Sequence, residues 1–433
     1  MNCLLLIVIQ SIIEQFAIHK LFKKVMKFLK GNPDFLIIGG GIFGCAIAWN
    51  LSRRSSGSVL LLERRELATA TTPRAAGLIR NLNLKQGQTA LKTHTKEAIG
   101  LLCEELEESL HWDQVGGLLV AESEANILHL EALERHAFKL GENFRWIERT
   151  EAEDLVPWLD ASKANKFALL PDDGFIDPYL LATFYAKAAK KHGAILKTDT
   201  EVTALQKSGN RITGVQTPQG KISAGCVIDA AGPWAGLVAL EVGWHLPMAP
   251  IRSHYWITSK APEFKKPQPY VILPDANAYA RTEMGGLLFG LRDRICLSHD
   301  PRELPSDFTE LRFSEDPEGW NVLEEQGSEL ARFYPGLETI QIAHYIAGPS
   351  TYTPDGQYVL GSVPDIDGFL VATGCCGSGI GASGGVGSAI ADLAIEGRTR
   401  FDLESFRTDR FGRIDAFSSE WMQRCANARS KKG

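Results

Sequence analysis

The feature that most constrains the fold is a glycine motif near the start of the chain, Gly39-x-Gly41-x-x-Gly44. It follows the apolar run DFLII, which has the length of a strand, and precedes CAIAWNLSRR, which has the character of a helix. In such a unit the first glycine permits a sharp turn, the second lets the backbone approach a pyrophosphate, and the third brings helix and strand close together. The helix start adds unpaired amides and the positive end of the helix dipole. The motif therefore predicts a dinucleotide-binding unit.

An acidic residue strengthens this prediction. Glu63 closes the next apolar run, SVLLLE, and follows Gly44 by 19 residues. At that place a carboxylate can accept hydrogen bonds from the ribose hydroxyls of an adenosine. The alternative is a surface glutamate at a strand end. NAD and FAD share this fingerprint, so it does not choose between them.

A second glycine turn lies far along the chain, where GFLVATG runs into Cys375-Cys376-Gly377-Ser378-Gly379-Ile380-Gly381. A helix over residues 386–394 is predicted to follow. Backbone amides at such a helix start can face an electron-rich ligand edge, such as the pyrimidine carbonyl of a reduced flavin. The alternative is a turn of small residues that packs a helix against a sheet.

Between the two turns the pattern alternates between helical and strand periodicity. Helices are predicted over residues 86–110, 125–140 and 178–192, and strands over 193–205, 211–215 and 226–228. Residues 246–346 contain several short alternating runs separated by Pro, Asn, Asp and Gly, which predicts an antiparallel sheet.

Charge and cysteine content exclude some functions and locations. The net charge is −6 and the pI is about 6.0, so we expect no nucleic-acid partner. The eight cysteines form no CxxC pair, which is typical of a reducing compartment, and no metal site is expected. We therefore expect an intracellular protein, cytoplasmic or mitochondrial. Residues 1–32 are predicted to be an extension, whose apolar run is too short to span a bilayer and whose lysine-rich part is compatible with weak membrane association.

Several segments in order carry a resemblance to a known family. They are DFLIIGGGIFGCAIAWNL, LLLERRELATATTPRAAGLIR, VIDAAGPWAG, YARTEMGGLLFG, GPSTYTPDGQYVLG and GFLVATGCCGSGIGASGGVGSAIADL. With them the chain resembles the D-amino-acid-oxidase-type FAD-dependent oxidoreductases, particularly the enzymes that oxidise sarcosine, dimethylglycine and glycine. The resemblance covers residues 34–411. It implies an α/β fold, in which a Rossmann-like FAD-binding domain with a parallel sheet is interleaved with an antiparallel-sheet substrate domain of α+β type.

The resemblance also implies how the chain is divided and which residues hold FAD. The FAD-binding domain would comprise residues 33–82, 190–245 and 346–400, the substrate or cap domain 83–189 and 246–345, and a tail 401–433. The residues expected to bind the cofactor are Gly39, Gly40, Gly41, Ile42, Phe43, Gly44, Glu63, Arg64, Thr71, Thr72, Ala76, Gly77, Leu78, Val202, Ala231, Gly232, Trp234, Gly348, Gly374, Gly377, Ser378, Gly379 and Ile380.

Departures from the family pattern matter as much as the matches. Dimethylglycine dehydrogenases carry a histidine that bonds covalently to the flavin where this chain has Arg74, and the covalent cysteine of monomeric sarcosine oxidases is absent from residues 348–351. We therefore expect non-covalent FAD. The segment LESFRTDRF near the end of the sequence resembles the family's closing segment, which in dimethylglycine and sarcosine dehydrogenases precedes a large folate-binding extension, and we expect no folate coupling within this chain. Gly377 stands where glycine-oxidase-like relatives have an arginine, which disfavours glycine as the substrate.

Enzymes of this type oxidise a C–N bond of an amino acid or a secondary or N-methyl amine by passing a hydride to flavin N5, and the imine is then hydrolysed. A guanidinium is expected to clamp the substrate carboxylate. The predicted substrate-site residues are Arg252, His254, Tyr255, Arg281 and Tyr352, each with the alternative of an ordinary structural role. Oxygen, an electron-transfer flavoprotein and a quinone all stay open as electron acceptors. The rival functions are a non-catalytic flavoprotein assembly factor or regulatory subunit, and an NAD-dependent dehydrogenase.

Overall fold

The structure is a computed structural model that describes residues 32–430 except 310, 312, 314, 315 and 317. The N-terminal segment, with its predicted membrane association, lies outside the described residues. The helices are α1 (Ile42–Arg54), α2 (Gln88–Leu106), α3 (Glu124–Leu140), α4 (Arg149–Leu155), α5 (Pro178–Lys191), α6 (Ala235–Leu240), α7 (Trp320–Ala331), α8 (Gly379–Glu396) and α9 (Ser419–Ser430). The strands are β1 (Phe35–Ile38), β2 (Val59–Leu62), β3 (Leu78–Ile79), β4 (Trp112–Asp113), β5 (Gly117–Ala121), β6 (Arg145–Ile147), β7 (Lys166–Leu170), β8 (Gly174–Ile176), β9 (Ile195–Lys197), β10 (Ala204–Ser208), β11 (Arg211–Thr217), β12 (Gly220–Ser223), β13 (Cys226–Asp229), β14 (Ala249–Thr258), β15 (Tyr270–Leu273), β16 (Ala278–Glu283), β17 (Gly286–Leu291), β18 (Ile342–Tyr352), β19 (Val359–Ser362) and β20 (Phe369–Thr373).

A six-stranded sheet in the order β19-β20-β13-β1-β2-β9 carries both glycine turns. All neighbouring strands in it run parallel except β19, which pairs antiparallel with β20. The strands are apolar along their whole length because both faces of the sheet are covered. Side chains alternate between the faces, so Phe35 and Ile37 pack with α1, α5 and α8, whereas Leu36 and Ile38 pack towards β11 and α6.

Helix α8 packs unusually close to its neighbours. A Cβ atom added at Gly385 would lie 2.2 Å from the carbonyl oxygen of Leu91 in α2, and one added at Gly387 would lie 2.8 Å from the backbone of Ala46 in α1. The small residues of α8 therefore hold three helices together on one face of the parallel sheet, behind the two glycine turns.

A second sheet of eight strands has the order β18-β14-β17-β16-β15-β5-β7-β6. It is antiparallel except where β15 pairs parallel with β5. Its residues from β14 to β18 confirm the predicted antiparallel sheet, but α7 interrupts that region and was not predicted. Val322 and Leu330 of α7 are buried eight residues apart on one helical face, so the pattern was present and was masked by charged neighbours.

The fold class predicted from the sequence is confirmed: a parallel, helix-covered sheet stands beside a largely antiparallel one. The predicted domain boundaries stay a proposal, and β18 crosses the one placed at residues 345 and 346. The predicted tail contains α9, which packs against β14 and β18 through the buried Trp421 and Cys425. No helix in the described part of the chain is both long enough and apolar enough to cross a bilayer.

Candidate active site

One cavity of about 640 Å³ lies where the two sheets meet. Gly41 of the first glycine turn and Gly379 of the second both line it, although they are 338 residues apart in sequence. They converge because β1 and β20 both pair with β13, so their carboxyl ends open at the same edge of the sheet. Both glycine turns therefore contribute to the same cavity.

The first turn forms a backbone cradle. Gly39 has φ of 101°, and α1 begins at Ile42 with Gly41 as its N-cap and no side-chain cap. The amide of Ile42 donates to Thr72 Oγ1 at 3.1 Å. A Cβ atom added at Gly41 would come near only Thr72 Oγ1, at 3.5 Å, so the face of Gly41 is open to the cavity. An anion can lie there against the helix start.

The carboxylate of Glu63 lies beside this cradle and lines the cavity. Its Oε2 accepts a hydrogen bond from the Gly40 amide at 2.7 Å, and its Oε1 accepts one from the Arg65 amide at 2.9 Å. These bonds fix the carboxylate at the strand end, and carboxylate oxygens have further lone pairs for a ribose hydroxyl.

Aromatic and cationic groups line the next part of the cavity. The Arg64 guanidinium stacks on Trp234 at 3.7 Å from the ring centroid, and Trp234 stacks on Phe308 at 4.8 Å between centroids. Arg64 Nη2 is buried and has no hydrogen-bond partner among the described residues. Burial lowers the pKa of Arg64, although Glu63 opposes the effect.

The second turn presents another helix start to the same cavity. Helix α8 begins at Gly379 with Ser378 as its N-cap, and no side chain caps it. Cys375 lines the cavity, and its thiol lies 3.3 Å from Ser350 Oγ. Cys376 is buried below the turn, and both cysteines are free thiols.

The structure brings nearly all of the predicted cofactor residues to this cavity, but Gly40, Gly44 and Gly374 do not line it. A Cβ atom at Gly44 would lie 1.9 Å from the Gly39 carbonyl oxygen, and one at Gly374 would lie 2.7 Å from Val359. Gly40 is enclosed by Leu67 and Glu63. These three glycines therefore shape the turns, and their direct contact with the cofactor stays a prediction.

These features fit FAD. The backbone cradle at Gly41 suits a diphosphate, Glu63 suits a ribose, and the unpartnered Arg64 nitrogen offers a donor to the adenosine half. The uncapped start of α8 offers amides to an electron-rich ring. The guanidinium of Arg74 donates to the backbone carbonyls of Thr69, Ala70 and Phe308.

Three of the predicted substrate-site residues line the far end of the cavity: His254, Tyr255 and Tyr352. His254 Nδ1 lies 3.0 Å from the Tyr345 hydroxyl, and its Nε2 lies 2.6 Å from Asp293 Oδ1. Burial lowers the pKa of His254 against the opposing effect of Asp293. Burial also raises the pKa of Tyr255 and Tyr352, so their hydroxyls keep their protons and can donate hydrogen bonds.

The two predicted arginines lie elsewhere, which corrects the sequence analysis. Arg252 does not line the cavity, because its guanidinium is buried against Asp293 at 3.0 Å and Asp316 at 3.4 Å. Arg281 donates to the Ala76 carbonyl oxygen at 2.6 Å and pairs with Glu283. Both guanidiniums have partners within the fold and do not face the cavity.

Three other arginines line the cavity, and the sequence analysis did not single them out. Arg80, Arg292 and Arg429 line the cavity, together with Tyr279. Arg429 comes from α9 and donates to Asp293 Oδ1 at 3.2 Å. Burial and the charge of Arg80 lower the pKa of Arg292 to about 10. Arg80 could have been predicted as a cavity residue, because it directly follows the segment LI of β3. No local sequence feature distinguishes Arg292 or Arg429.

Asp229 ends β13 directly beneath the first turn and is fully buried. Its Oδ1 accepts from the Ala231 amide at 3.0 Å, but its Oδ2 has no hydrogen-bond partner among the described residues. Burial raises its pKa to about 8, against the effect of that one hydrogen bond. The folded chain therefore holds a proton here that the unfolded chain releases near pH 4.

This carboxyl predicts a pH dependence of stability. Its contribution is complete below about pH 4 and is lost as the pH rises through about 8, because ionisation opposes burial. Asp229→Asn does not titrate. The unfolding free energy of the variant minus that of the wild type should therefore be about 1–3 kcal/mol larger at pH 8 than at pH 5. Denaturant unfolding at both pH values measures this. The exposed Asp367→Asn is the control, and equal profiles for Asp229→Asn and wild type would contradict the assignment.

Known proteins share this architecture. The mouse mitochondrial dimethylglycine dehydrogenase is 30% identical over 398 residues, which cover 89% of this chain and 45% of that protein. The mouse mitochondrial pyruvate dehydrogenase phosphatase regulatory subunit is 24% identical over 395 residues, or 90% of this chain and 44% of that protein. This chain thus spans about half the length of these relatives.

A solved structure extends the comparison. L-proline dehydrogenase from P. horikoshii superposes with a TM-score of 0.78 at 26% identity, over 88% of this chain and 98% of that one. Residues 34–393 match the family described as DAO, FAD dependent oxidoreductase. That match runs from just before β1 into the last turn of α8, and so includes both glycine turns. The chain therefore belongs to the DAO family of FAD-dependent oxidoreductases.

Proposed function

We propose that this chain oxidises the C–N bond of an amino acid or of a secondary or N-methyl amine, with FAD held non-covalently. The observation that carries the proposal is one continuous cavity, which joins the starts of α1 and α8 to an end lined by tyrosines and arginines. The names of the dimethylglycine and L-proline dehydrogenases agree with an amine substrate.

Bound FAD supplies an acceptor for the hydride that leaves the carbon next to nitrogen. The C–H bond breaks, its electron pair and hydrogen leave the substrate, and a C=N bond forms. Water then adds to the imine carbon and releases a carbonyl product and an amine. Two electrons pass on to an external acceptor, for which oxygen, an electron-transfer flavoprotein and a quinone are the candidates.

The chain's own residues bind and orient the substrate. Arg292 faces the cavity without a carboxylate partner among the described residues, so it can bind a substrate carboxylate with two hydrogen bonds. Tyr255 and Tyr352 keep their protons and can donate to a carboxylate or a water. His254 is oriented by Asp293 and Tyr345. Orientation of this kind accounts for much of the rate in hydride transfer, and no acid–base pair is needed.

The test is anaerobic bleaching of the bound flavin by a panel of amines that includes sarcosine, dimethylglycine and proline. We expect at least one to bleach it, and acid precipitation should release the flavin from the protein. Arg292→Gln should raise the KM of a carboxylate-bearing substrate by roughly 10- to 100-fold, because a charge-assisted hydrogen bond is lost. The exposed Arg294→Gln, two residues away, is the matched control.

Inertness of the flavin towards the whole panel would contradict the proposal. It would favour a regulatory role instead, since one relative is a regulatory subunit. Bleaching with an unchanged KM in Arg292→Gln would keep the activity but remove Arg292 from substrate binding. The names of both mouse relatives favour a mitochondrial over a cytoplasmic location, which fractionation of cells expressing the chain would test.

A further inference from the structure

Two arginines at the substrate end of the cavity have no acidic partner among the described residues. Arg80 follows β3 and Arg292 follows β17, and both line the cavity. Arg80 Nε is buried and makes no hydrogen bond within the described chain. Both arginines are half-buried, and a charged group taken partly out of water without a partner is costly, so the pair in one cavity favours the binding of anionic groups from outside the chain.

The nearby acids are already engaged. Asp173, the carboxylate next to Arg80, accepts from the Tyr270 hydroxyl at 2.6 Å and pairs with Lys96 at 3.4 Å. Asp293, on the other side, is shared by Arg252, His254 and Arg429. Neither carboxylate forms an ion pair or a hydrogen bond with Arg80 or Arg292, so the substrate end keeps the positive charge of both.

Arg80 also borders a second, smaller space. A side pocket of about 210 Å³ shares Arg80 and Ile272 with the main cavity. Its other walls are mostly apolar and come from β5, α3 and the residues after β15, and they include Asn126 and His129. Arg80 therefore stands between the main cavity and a space that can hold a further part of a substrate.

We propose, on the basis of the proposed function, that the substrate is an amino compound with two acidic groups. One carboxylate is bound by Arg292 next to the C–N bond that is oxidised. The second is bound by Arg80 at the entrance to the side pocket. Arg80 is thus the residue that distinguishes an amino dicarboxylate from a simple amino acid of the same length.

The test measures binding rather than turnover. The FAD-loaded protein is titrated with succinate and glutarate, and with butyrate and valerate as monocarboxylates of matched length, while the visible spectrum of the flavin reports binding. We expect the dicarboxylates to bind roughly 10- to 100-fold more tightly than the monocarboxylates, because the second carboxylate adds charge-assisted hydrogen bonds with Arg80. Equal affinity for the two classes in the wild type would overturn the proposal.

Variants separate the roles of the two arginines. Arg80→Gln should remove the preference for dicarboxylates and leave monocarboxylate binding within about threefold of wild type. Arg292→Gln should weaken both classes, and Arg294→Gln neither. Arg80→Lys keeps the charge and should retain part of the preference, which serves as the readout if Arg80→Gln fails to load FAD. A dicarboxylate preference that survives in Arg80→Gln would overturn the assignment of Arg80.

Failure here is distinguishable from failure of the proposed function. If no amine bleaches the flavin but dicarboxylates bind through Arg80, oxidation is wrong and the diacid site stands. If sarcosine or proline bleaches the flavin and dicarboxylates show no preference, oxidation stands and the second acidic group is wrong.

Discussion

Asp293→Asn is expected to lower the unfolding free energy by about 3–5 kcal/mol, among the largest effects for a change of one functional group in this chain. Asp293 is buried and its carboxylate contacts three groups: the guanidiniums of Arg252 and Arg429, and the imidazole of His254. The amide would leave two buried cations with less compensating charge. Denaturant unfolding followed by circular dichroism measures the loss, and flavin fluorescence reports whether the cavity loosens with it.

The pH dependence provides a second reading of the same variant. Burial alone would raise the pKa of Asp293, but Arg429, His254 and Arg252 hold it well below the ordinary range of a carboxyl. Its stabilising contribution is thus present above about pH 4 and is lost as the pH falls further, through the lowered folded pKa. The difference between variant and wild type should shrink only in strong acid. Glu151→Gln, which breaks an exposed pair with Arg145, should cost no more than about 1 kcal/mol, and an equal loss in both variants would contradict the argument.

Gly44→Ala should abolish FAD binding and cost about 3 kcal/mol of stability. The added methyl group would lie 1.9 Å from the Gly39 carbonyl oxygen, which is backbone and cannot rotate away as a side chain can. Helix α1 would have to move from β1, and the amides at its start would move with it. The measurement is the ratio of flavin to protein absorbance after purification, together with the denaturation midpoint.

Two other glycines separate folding from cofactor binding. Gly100 lies in α2 with nothing within 4 Å of an added Cβ, so Gly100→Ala should gain about 0.5–1 kcal/mol and keep FAD. Gly41→Ala meets only Thr72 Oγ1 at 3.5 Å and should fold normally, but it should lose FAD affinity because the methyl group enters the cavity. Full flavin loading of Gly44→Ala would show that the turn tolerates the displacement.

The local parts of the site were predictable because they obey local rules. A strand, a glycine turn and a helix follow one another around Gly41 and again around Gly379, so spacing located both glycine turns. The second helix was predicted over residues 386–394 but begins at Gly379, because the glycine-rich first turns of the helix carry no apolar periodicity. Glu63 was predictable for the same reason, because the length of the α1 crossover between β1 and β2 sets the position of Glu63 in the sequence. The contact of Gly44 with the cofactor stays a prediction, because a spacing pattern does not show whether a glycine faces a ligand or a neighbouring carbonyl.

The substrate end was not predictable to the same degree. Arg252 and Arg281 lie on strands of the expected sheet, but their partners, Asp316 and the Ala76 carbonyl, are distant in sequence, and these partners decide which way each guanidinium points. Arg429 lies in a segment predicted to be a tail, and it reaches the cavity only because α9 packs on β14 and β18.

The family, the parallel sheet and the glycine turn at Gly41 were readable from local sequence, because steric limits on the backbone and the period of apolar residues act over a few residues. Which arginines have partners and which face the cavity emerged from the folded structure alone. That outcome depends on charges and packing surfaces brought together from distant segments, and no local pattern encodes such distances.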